Sequence, residues 1–307
     1  MPEARVIPLR RAPEIVEAAK QDLDQRDPRW HRDLAELVEF ARRRLCGAYD
    51  VDEFGFDPDL TEQVLLPLVR PLYRRWFRVE TIGIHHVPAE GAALVVANHS
   101  GTLPLDAVMT AMAVRDEHPA GRHLRMLGAE LLFRTPLLGS LARKSGQTLA
   151  CVPDAERLLT SGELVAVWPE GFKGLGKRYR DRYKLQRFGR GGFVAAALRT
   201  QTAIIPCSIV GAEEIYPMIG DIAPLARLLR APYFPVTPLF PLLGPLGVIP
   251  LPSKWYIEFG EPIRTDAYEP GAAEDPMLVF NLTDQIRETI QQTLHRLLVQ
   301  RRNAFLG

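Results

Sequence analysis

Residues 93–106 read Ala-Leu-Val-Val-Ala-Asn-His-Ser-Gly-Thr-Leu-Pro-Leu-Asp, an apolar run followed by a polar turn. The run has the length and composition of a buried β-strand. Pro104 fits the first turn of a helix, where its missing N–H costs nothing, so a helix can begin directly after the turn. A strand that leads into a helix in this way is the repeating unit of an α/β sheet.

Short apolar runs and helical patterns continue to alternate on both sides of this stretch, from Val79 onward. The predicted strands cover Ala93–Asn98, Leu124–Leu127, Gln147–Val152, Leu164–Trp168 and Ala203–Val210. The predicted helices begin near Leu103 and cover Ala129–Lys144, Asp154–Ser161 and Gly191–Thr200. An apolar stripe between Leu278 and Leu297 predicts a final helix. The alternation predicts an α/β fold, with a largely parallel central sheet flanked by helices.

The region before residue 76 has a different pattern. Its apolar residues recur at helical spacing among many charges, and breaks are indicated at Asp27-Pro28 and at Gly55-Phe-Asp-Pro58. No strand signal interrupts it. We therefore predict an N-terminal helical region over 1–75 and an α/β domain over 76–307.

Composition argues against several classes of protein. Hydrophobic residues make up 47% of the 307 positions, which is enough for a sizeable core. The 38 Lys and Arg residues nearly balance the 37 Asp and Glu residues, so nucleic-acid binding is not indicated. Three widely separated cysteines, with no histidine at metal spacing, indicate neither a disulfide framework nor a metal site. Since no secretory signal is seen either, we expect a cytoplasmic protein.

His99 follows the first apolar run, and in open α/β sheets ligands bind beyond the carboxyl ends of the strands. Asp106, in the first turn of the next helix, could accept a hydrogen bond from one ring nitrogen of His99 and leave the other free as a base. This is a catalytic triad without its protein nucleophile, so the nucleophile would be a substrate hydroxyl. In the alternative interpretation, Asp106 only complements the helix dipole and His99 is a polar turn residue.

Trp168-Pro-Glu-Gly171 follows another predicted strand and precedes a basic loop. The loop has one acid, Asp181, and eight cations: Lys173, Lys177, Arg178, Arg180, Arg182, Lys184, Arg187 and Arg190. Such an excess of cations can bind phosphate, and the alternative is a solvated basic loop. The sequence of Gly171–Lys177 also resembles the phosphate-loop motif of nucleotide hydrolases. In that motif, however, Ser or Thr binds magnesium at the position that Arg178 occupies here.

Asn98-His99 with an acidic residue a few positions on, and Pro169-Glu-Gly171 later in the chain, resemble the glycerolipid acyltransferase superfamily. That superfamily includes glycerol-3-phosphate and lysophosphatidic acid acyltransferases. The resemblance extends over roughly Val79–Pro262, so 76–307 would be the acyltransferase domain. Tyr183–Arg199 and Ile205–Glu214 look most like the bacterial branch that is related to mono- and diacylglycerol acyltransferases.

The resemblance implies that His99 takes the proton of an acceptor hydroxyl, which attacks the thioester of acyl-CoA or acyl carrier protein directly. Asp106 would orient His99, and no cofactor or metal would be needed beyond the acyl-carrying co-substrate. Further substrate contacts are predicted at Asn98, Ser100, Gly101, Thr102, Glu170, Gly171, Lys173, Lys177, Arg178 and Arg190.

This sequence departs from the family pattern in two places. The usual spacing leaves four residues between the histidine and the aspartate, whereas six separate His99 from Asp106, so the loop must bulge for the two to meet. The arginine that many members carry after the third strand is missing near Gly146. That absence weakens the case for glycerol 3-phosphate and leaves lysophospholipids, lysophosphatidic acid and mono- or diacylglycerol open as acceptors.

Acyl chains need an apolar route, and Tyr233–Ile249 could dip into the headgroup layer of a membrane. The alternative is a buried, proline-stiffened crossover. The uncharged stretch 231–252 is long enough to span a bilayer, but its seven prolines argue against a helix there. We expect a peripheral protein on the inner face of the cell membrane. A catalytically inactive lipid- or acyl-carrier-binding protein of the same fold is the alternative function.

Overall fold

The computed structural model of the chain describes residues 38–269 and 271–306. The chain divides into two compact units between Asp50 and Val51. The described part of the first unit contains a helix over 38–45, and the guanidinium of Arg44 lies over the ring of Tyr49. The predicted break at Asp27-Pro28 lies outside the described residues.

A seven-stranded sheet forms the centre of the second unit, with the strand order β1-β9-β6-β2-β5-β3-β4. Its strands are β1 Glu80–Ile82, β2 Ala93–Ala97, β3 Arg125–Gly128, β4 Gln147–Leu149, β5 Leu164–Val167, β6 Ile204–Val210 and β9 Tyr256–Phe259. Every neighbouring pair is parallel except β6 and β9. A separate antiparallel pair consists of β7 Gly220–Asp221 and β8 Pro235–Val236. The predicted, largely parallel sheet is confirmed.

Helices and apolar side chains cover both faces of this sheet. The helices are α1 Leu105–Glu117, α2 Glu130–Arg134, α3 Leu138–Lys144, α4 Val152–Thr160, α5 Phe172–Leu175, α6 Gly192–Arg199, α7 Ala223–Leu228 and α8 Pro276–Gln300. Along β2, Val95 packs in one core with α1, whereas Leu94 and Val96 pack in the other with α4, α6 and α8. A strand that is buried on both faces reads as a continuous apolar run, which is why β2 was recognisable from sequence.

A helical segment over 58–76 belongs to this second unit. It consists of successive α and π turns, Pro58–Leu60, Thr61–Leu65, Leu66–Pro71 and Leu72–Trp76. Tyr73 and Phe77 are buried in the core that contains α1, and Arg70 pairs with Asp116 of α1 at 2.8 Å. The boundary predicted after residue 75 therefore does not coincide with the division in the structure, because this segment contributes to the α/β core.

Two predicted stretches have different bounds in the structure. The helices expected over Ala129–Lys144 are α2 and α3, and they are separated by a turn at Pro136-Leu137, where Leu137 has a φ of +63°. The strand expected to reach Val152 ends at Leu149, since Val152 begins α4. A proline in the first turn favours this helix start over a longer strand.

Candidate active site

The carboxyl ends of β2 and β5 bring the two predicted motifs together. The strands pair in parallel, with Val96 opposite Val167, so the residues that follow them emerge at the same edge of the sheet. The backbone N–H of His99 donates a hydrogen bond to Oε1 of Glu170 at 2.9 Å. Residues distant in sequence thus form one site.

His99 and Asp106 form a hydrogen-bonded pair, with 2.7 Å between Nδ1 and Oδ2. The fully buried Asp106 also accepts hydrogen bonds from the backbone N–H groups of Ser100 and Ala107, each at 2.9 Å. An ionised carboxylate can only accept, so Nδ1–H of His99 is the donor of this bond, and in a neutral imidazole the lone pair is then on Nε2. The bond to Ala107 lies in the first turn of α1, so Asp106 interacts with the helix terminus as well as with His99.

A tight turn takes up the extra length of the loop between His99 and Asp106. Gly101 and Thr102 both have positive φ angles, +96° and +64°. A side chain at Gly101 would lie 2.7 Å from the carbonyl oxygen of Ala212, so only glycine fits this approach. The loop therefore bulges as the six-residue spacing requires, and this bulge allows His99 and Asp106 to meet.

An apolar cavity of about 450 Å³ opens beside the histidine. His99 forms part of its wall, and the centroid of the Trp168 ring lies 5.9 Å from that of the His99 ring. Most of the lining is aliphatic or aromatic, including Leu103, Met126, Leu131, Leu132, Leu138 and Phe172. A site of this kind binds an apolar ligand and excludes water from it.

Glu170 is buried and both of its oxygens are engaged. Oε1 accepts the N–H of His99, whereas Oε2 accepts the N–H of Gln186 at 2.6 Å and lies 3.4 Å from Nζ of Lys177. Lys177 also lies 2.8 Å from Oε1 of Glu213, and that same oxygen accepts the N–H of Tyr183. These contacts form a buried cluster of one lysine and two carboxylates. In the described part of the chain, no three metal-ligating side chains converge on one point.

Burial and the unequal number of charges in this cluster shift the pKa values of Glu213 and Lys177. Burial raises the pKa of Glu213 from its ordinary 4.5 to about 7, although Lys177 lowers it, and the neighbouring Glu170 raises it further. Burial also acts to lower the pKa of Lys177, but the two carboxylates outweigh it and the pKa is raised. One lysine cannot neutralise two buried carboxylates, so Glu213 is the group that takes up a proton most readily.

The small residue Gly174 allows α5 to approach His99 closely. A Cβ atom at this position would lie 2.7 Å from the carbonyl oxygen of His99 and 2.8 Å from Cβ of Glu170. Real Cβ atoms do not make contacts this short, so a larger residue would displace the histidine or the glutamate. Gly174 thus helps to fix the position of the His99 backbone.

The Acyltransferase family model matches residues 78–210, which include both motifs. An uncharacterized protein of Mycobacterium tuberculosis strain H37Rv is 62% identical over 279 residues, covering 90% of this chain and 78% of that protein. A protein of Bos taurus described as a DGAT1/2-independent enzyme synthesizing storage lipids is 28% identical over 199 residues, 62% of this chain and 54% of its own. The chain belongs to the glycerolipid acyltransferase superfamily. It is an acyltransferase.

The fold of this acyltransferase has a counterpart among solved structures. The crystal structure of the 1-acyl-sn-glycerophosphate acyltransferase PlsC from Thermotoga maritima matches it with a TM-score of 0.50. The match covers 90% of this chain and all of that one, at 16% sequence identity. At this identity the likeness concerns the fold.

Not all of the predicted substrate contacts of the acyltransferase face the cavity. Thr102 and Gly171 line it together with His99. Asn98 is buried instead, and its amide exchanges two hydrogen bonds with the backbone of Ile209, at 2.7 and 3.0 Å. Asn98 thus fastens the end of β2 to β6. Ser100 and Gly101 are buried within the turn, where they shape the loop.

The cationic side chains of the basic loop in this acyltransferase do not converge on one phosphate-binding site. Lys177 lies inside the protein between two carboxylates, so its charge is already neutralised there. Lys173 and Arg178 are exposed and do not line the apolar cavity, and Arg190 lines a different cavity. The prediction from sequence treated all of these cations alike because a charge count does not distinguish buried from exposed residues.

Sequence reasoning missed the aliphatic wall of the cavity. Met126, Leu127 and Leu132 line it, as do Tyr233 and Pro235 from the proline-rich segment. The signal was present at β3, since residues at the carboxyl end of a parallel strand face the ligand site. Tyr233 was placed only in a segment that could serve acyl chains, whereas in the structure its hydroxyl donates to the carbonyl oxygen of Thr102 at 2.5 Å.

The pKa of Glu213 predicts a pH-dependent stability. Because its folded pKa of about 7 exceeds the ordinary 4.5, the folded state holds the proton more tightly than the unfolded chain does. This contribution to stability is fully present below about pH 4.5 and is lost as the pH rises to about 7. Glu213→Gln keeps an oxygen for Lys177 and Tyr183 but cannot ionise. The variant should therefore not show the loss of about 1–3 kcal/mol in the free energy of unfolding that the wild type shows as the pH rises.

Urea unfolding of the wild type and of Glu213→Gln between pH 4.5 and 8 measures this difference. The advantage of the variant over the wild type should grow with pH across that window. Glu261→Gln removes an exposed carboxylate and is the matched control, for which no such trend is expected. Parallel curves for the wild type and Glu213→Gln would show that Glu213 does not titrate in this range.

Proposed function

We propose that this acyltransferase moves a fatty acyl group from the thioester of coenzyme A, or of an acyl carrier protein, to a glycerolipid hydroxyl. The observation that carries the proposal is the 2.7 Å pair of His99 and Asp106 on the wall of an apolar cavity. The pair supplies an oriented base, and the cavity supplies an environment for acyl chains. Neither cofactor nor metal takes part.

The reaction needs one proton carrier. Nε2 of His99 accepts the proton of the acceptor hydroxyl while the oxygen of that hydroxyl attacks the carbonyl carbon of the thioester. When the tetrahedral intermediate collapses, the C–S bond breaks and His99 returns the proton to the leaving sulfur. Asp106 stabilises the charged imidazolium between these steps, as the aspartate of a catalytic triad does. No acyl-enzyme forms, since the substrate itself is the nucleophile.

Glu170 acts in this mechanism by positioning rather than by binding the acceptor. Its two oxygens already accept hydrogen bonds from His99 and Gln186, and its side chain is buried outside the cavity wall. The carboxylate therefore holds the backbone of the histidine at its distance from the substrate. Gly171, which lines the cavity, is left as the member of the Pro-Glu-Gly motif that contacts substrate.

Acceptors of this reaction are glycerolipids such as lysophospholipids, lysophosphatidic acid and mono- or diacylglycerol. The bovine relative is described as synthesizing storage lipids, which supports a neutral glyceride. The Thermotoga protein is a 1-acyl-sn-glycerophosphate acyltransferase. Ala150 stands in the wall of the cavity near the position where many family members carry an arginine, which favours an acceptor without a phosphate at that point.

Exposed apolar side chains are frequent in and just before the proline-rich segment. They are Leu228, Leu229, Leu242, Leu243, Leu246, Val248 and Ile249. Tyr233 and Pro235 of the same segment line the cavity, so one stretch of chain contributes both to the cavity wall and to the exposed apolar side chains. The interpretation of this segment as a buried crossover is wrong for these side chains. No helix in the described ranges is long and apolar enough to cross a bilayer.

These exposed apolar side chains predict peripheral binding to the inner face of the cell membrane, with Arg227 and Arg230 facing anionic headgroups. Wild-type protein should sediment with anionic liposomes at low salt. Leu242→Ser combined with Leu246→Ser should lower the bound fraction at least fivefold, because two exposed leucines contribute several kcal/mol of transfer free energy. Val299→Ser, an exposed residue of α8, is the control, and equal sedimentation of both variants would contradict the assignment.

Thiol release from palmitoyl-CoA, measured with and without a panel of glycerolipid acceptors, tests the proposed function. Thiol release should depend on the acceptor, and mass spectrometry should show the matching ester. A lipid-binding protein without catalysis would release no thiol with any acceptor. Thiol release that is independent of every acceptor would identify a thioesterase and would overturn the proposal.

A further inference from the structure

Tyr233 joins the proline-rich segment to the turn that follows His99. Its ring lines the apolar cavity, and its hydroxyl donates a hydrogen bond to the carbonyl oxygen of Thr102 at 2.5 Å. Burial, together with the negative charge of Asp106, raises the pKa of Tyr233, so the hydroxyl keeps its proton at neutral pH and can donate this bond. The bond links a distant segment of the chain to the loop between His99 and Asp106.

The turn at Gly101-Thr102 depends on contacts of this kind because its backbone is strained. Thr102 has a φ of +64°, a conformation that β-branched residues rarely adopt. Such a conformation persists only where the surrounding structure fixes it. Two atoms of Thr102 are held: Oγ1 donates to the carbonyl oxygen of Tyr216 at 3.2 Å, and the carbonyl oxygen of Thr102 accepts from Tyr233. Loss of the Tyr233 hydroxyl would release the backbone of the turn at Thr102.

The turn and the catalytic pair share one acceptor atom. The backbone N–H of Ser100 and Nδ1 of His99 both donate to Oδ2 of Asp106, at 2.9 and 2.7 Å. Ser100 is two residues from Thr102, so a shift of the turn moves one of the two donors on this oxygen. The geometry of the His99–Asp106 bond therefore depends on the conformation of the turn.

Tyr233 is itself held in place, so it can fix the turn. The N–H of the next residue, Phe234, donates to Oδ1 of Asp221 at 2.8 Å, and its carbonyl oxygen accepts the N–H of Ile222 at 3.0 Å. These bonds lie beside the antiparallel pair β7 and β8. On the other side, Gly176 packs so closely that a Cβ atom there would lie 2.9 Å from Cδ1 of the Tyr233 ring. Both the backbone and the ring of Tyr233 thus have fixed positions.

We propose that Tyr233 is a positioning residue for His99, and that its hydroxyl holds the turn at Gly101-Thr102 in the conformation that pairs His99 with Asp106. This inference rests on the proposed function, because it takes His99 as the base of that reaction. The hydroxyl of Tyr233 acts through the turn and does not exchange a proton with the substrate. The ring has a separate role, since it forms part of the cavity wall.

Tyr233→Phe removes one oxygen and keeps the ring, so it tests the hydroxyl alone. The kcat for acyl transfer should fall about tenfold, which corresponds to the loss of one hydrogen bond, while KM for palmitoyl-CoA stays within about twofold of the wild type. Tyr216→Phe is the matched control, because the Tyr216 hydroxyl also donates to a backbone carbonyl at 2.5 Å, that of Val248, outside the catalytic turn. The control should keep the wild-type kcat. An unchanged kcat in Tyr233→Phe, or an equal fall in both variants, would overturn the proposal.

A double-mutant cycle separates positioning from direct action on the substrate. In the His99→Ala background, Tyr233→Phe should cause no further loss of ester formation, because a positioning residue has no effect once the group it positions is gone. Radiolabelled palmitoyl-CoA makes the residual rate measurable. A further tenfold loss in that background would show that Tyr233 acts on the substrate independently of His99, and it would contradict the proposal.

Proton NMR of the Nδ1–H of His99 tests the geometry without any acyl transfer. A proton held between Nδ1 and a carboxylate at 2.7 Å gives a far-downfield resonance, which is assigned by its absence in His99→Ala. The resonance should move upfield or broaden in Tyr233→Phe and stay in place in Tyr216→Phe. An unchanged resonance in Tyr233→Phe would overturn the positioning role. A resonance that depends on Tyr233 in a protein that transfers no acyl group would refute only the proposed function.

Discussion

His99→Ala is expected to lower kcat for acyl transfer about 10³-fold, the largest effect of any single substitution in this chain. The imidazole has two partners in the reaction, Asp106 on Nδ1 and the substrate hydroxyl on Nε2. Alanine removes both contacts and leaves the hydroxyl without a base. Acceptor-dependent thiol release from palmitoyl-CoA measures the change. KM should change little, because the apolar cavity that binds the acyl chain is intact.

Two further variants make this result specific. His295→Ala removes an exposed histidine of α8 and should leave kcat unchanged. Asp106→Asn should lose activity almost as His99→Ala does, since both oxygens of Asp106 accept backbone N–H groups and an amide nitrogen would face one of them. Full activity of Asp106→Asn would show that the carboxylate does not orient the histidine.

Glu170→Gln is expected to lower kcat about 100-fold while the acceptor KM changes less than threefold. Each oxygen of Glu170 accepts an N–H, from His99 on one side and from Gln186 on the other. The amide nitrogen of glutamine would therefore oppose a donor in either orientation. The backbone of His99 would shift, and a displacement on the order of 1 Å at a reacting group is enough for a loss of this size.

Glu213→Gln is the matched control, because it makes the same substitution in the same buried cluster. A single oxygen of Glu213 accepts from both Lys177 and Tyr183, so the amide oxygen of glutamine can replace it. This variant should keep wild-type kcat at neutral pH. If Glu170→Gln instead raised the acceptor KM at constant kcat, Glu170 would be an acceptor-binding residue and the positioning role would be wrong.

The elements that could be predicted from sequence are those with a strong local signal. β2 and β5 read as unbroken apolar runs because both of their faces are buried. The pairing of His99 with Asp106 was also predictable, since a residue in the first turn of α1 lies next to the strand end before it. The position of the break between α2 and α3 was not predictable, because it depends on the positive φ of Leu137, a residue with no preference for that conformation.

The candidate site contains contacts that a linear pattern cannot show. Lys177 looked like one cation among eight in the basic loop, but it is buried by Glu170 and Glu213, which are far from each other in sequence. Arg187 and Arg287 are a similar case, since they line the same cavity only after α8 has packed beside the loop. Counting charges correctly predicted a net positive charge for the loop. Tertiary packing decides which of its cations are exposed and can bind a ligand.

The most direct test of His99 as the base is ester formation by His99→Ala, followed with radiolabelled palmitoyl-CoA and a glycerolipid acceptor at increasing concentrations of imidazole. The variant should form almost no ester alone, and added imidazole should restore part of the wild-type rate by occupying the space left by the side chain. Ester formation by His99→Ala at the wild-type rate without imidazole would contradict the account.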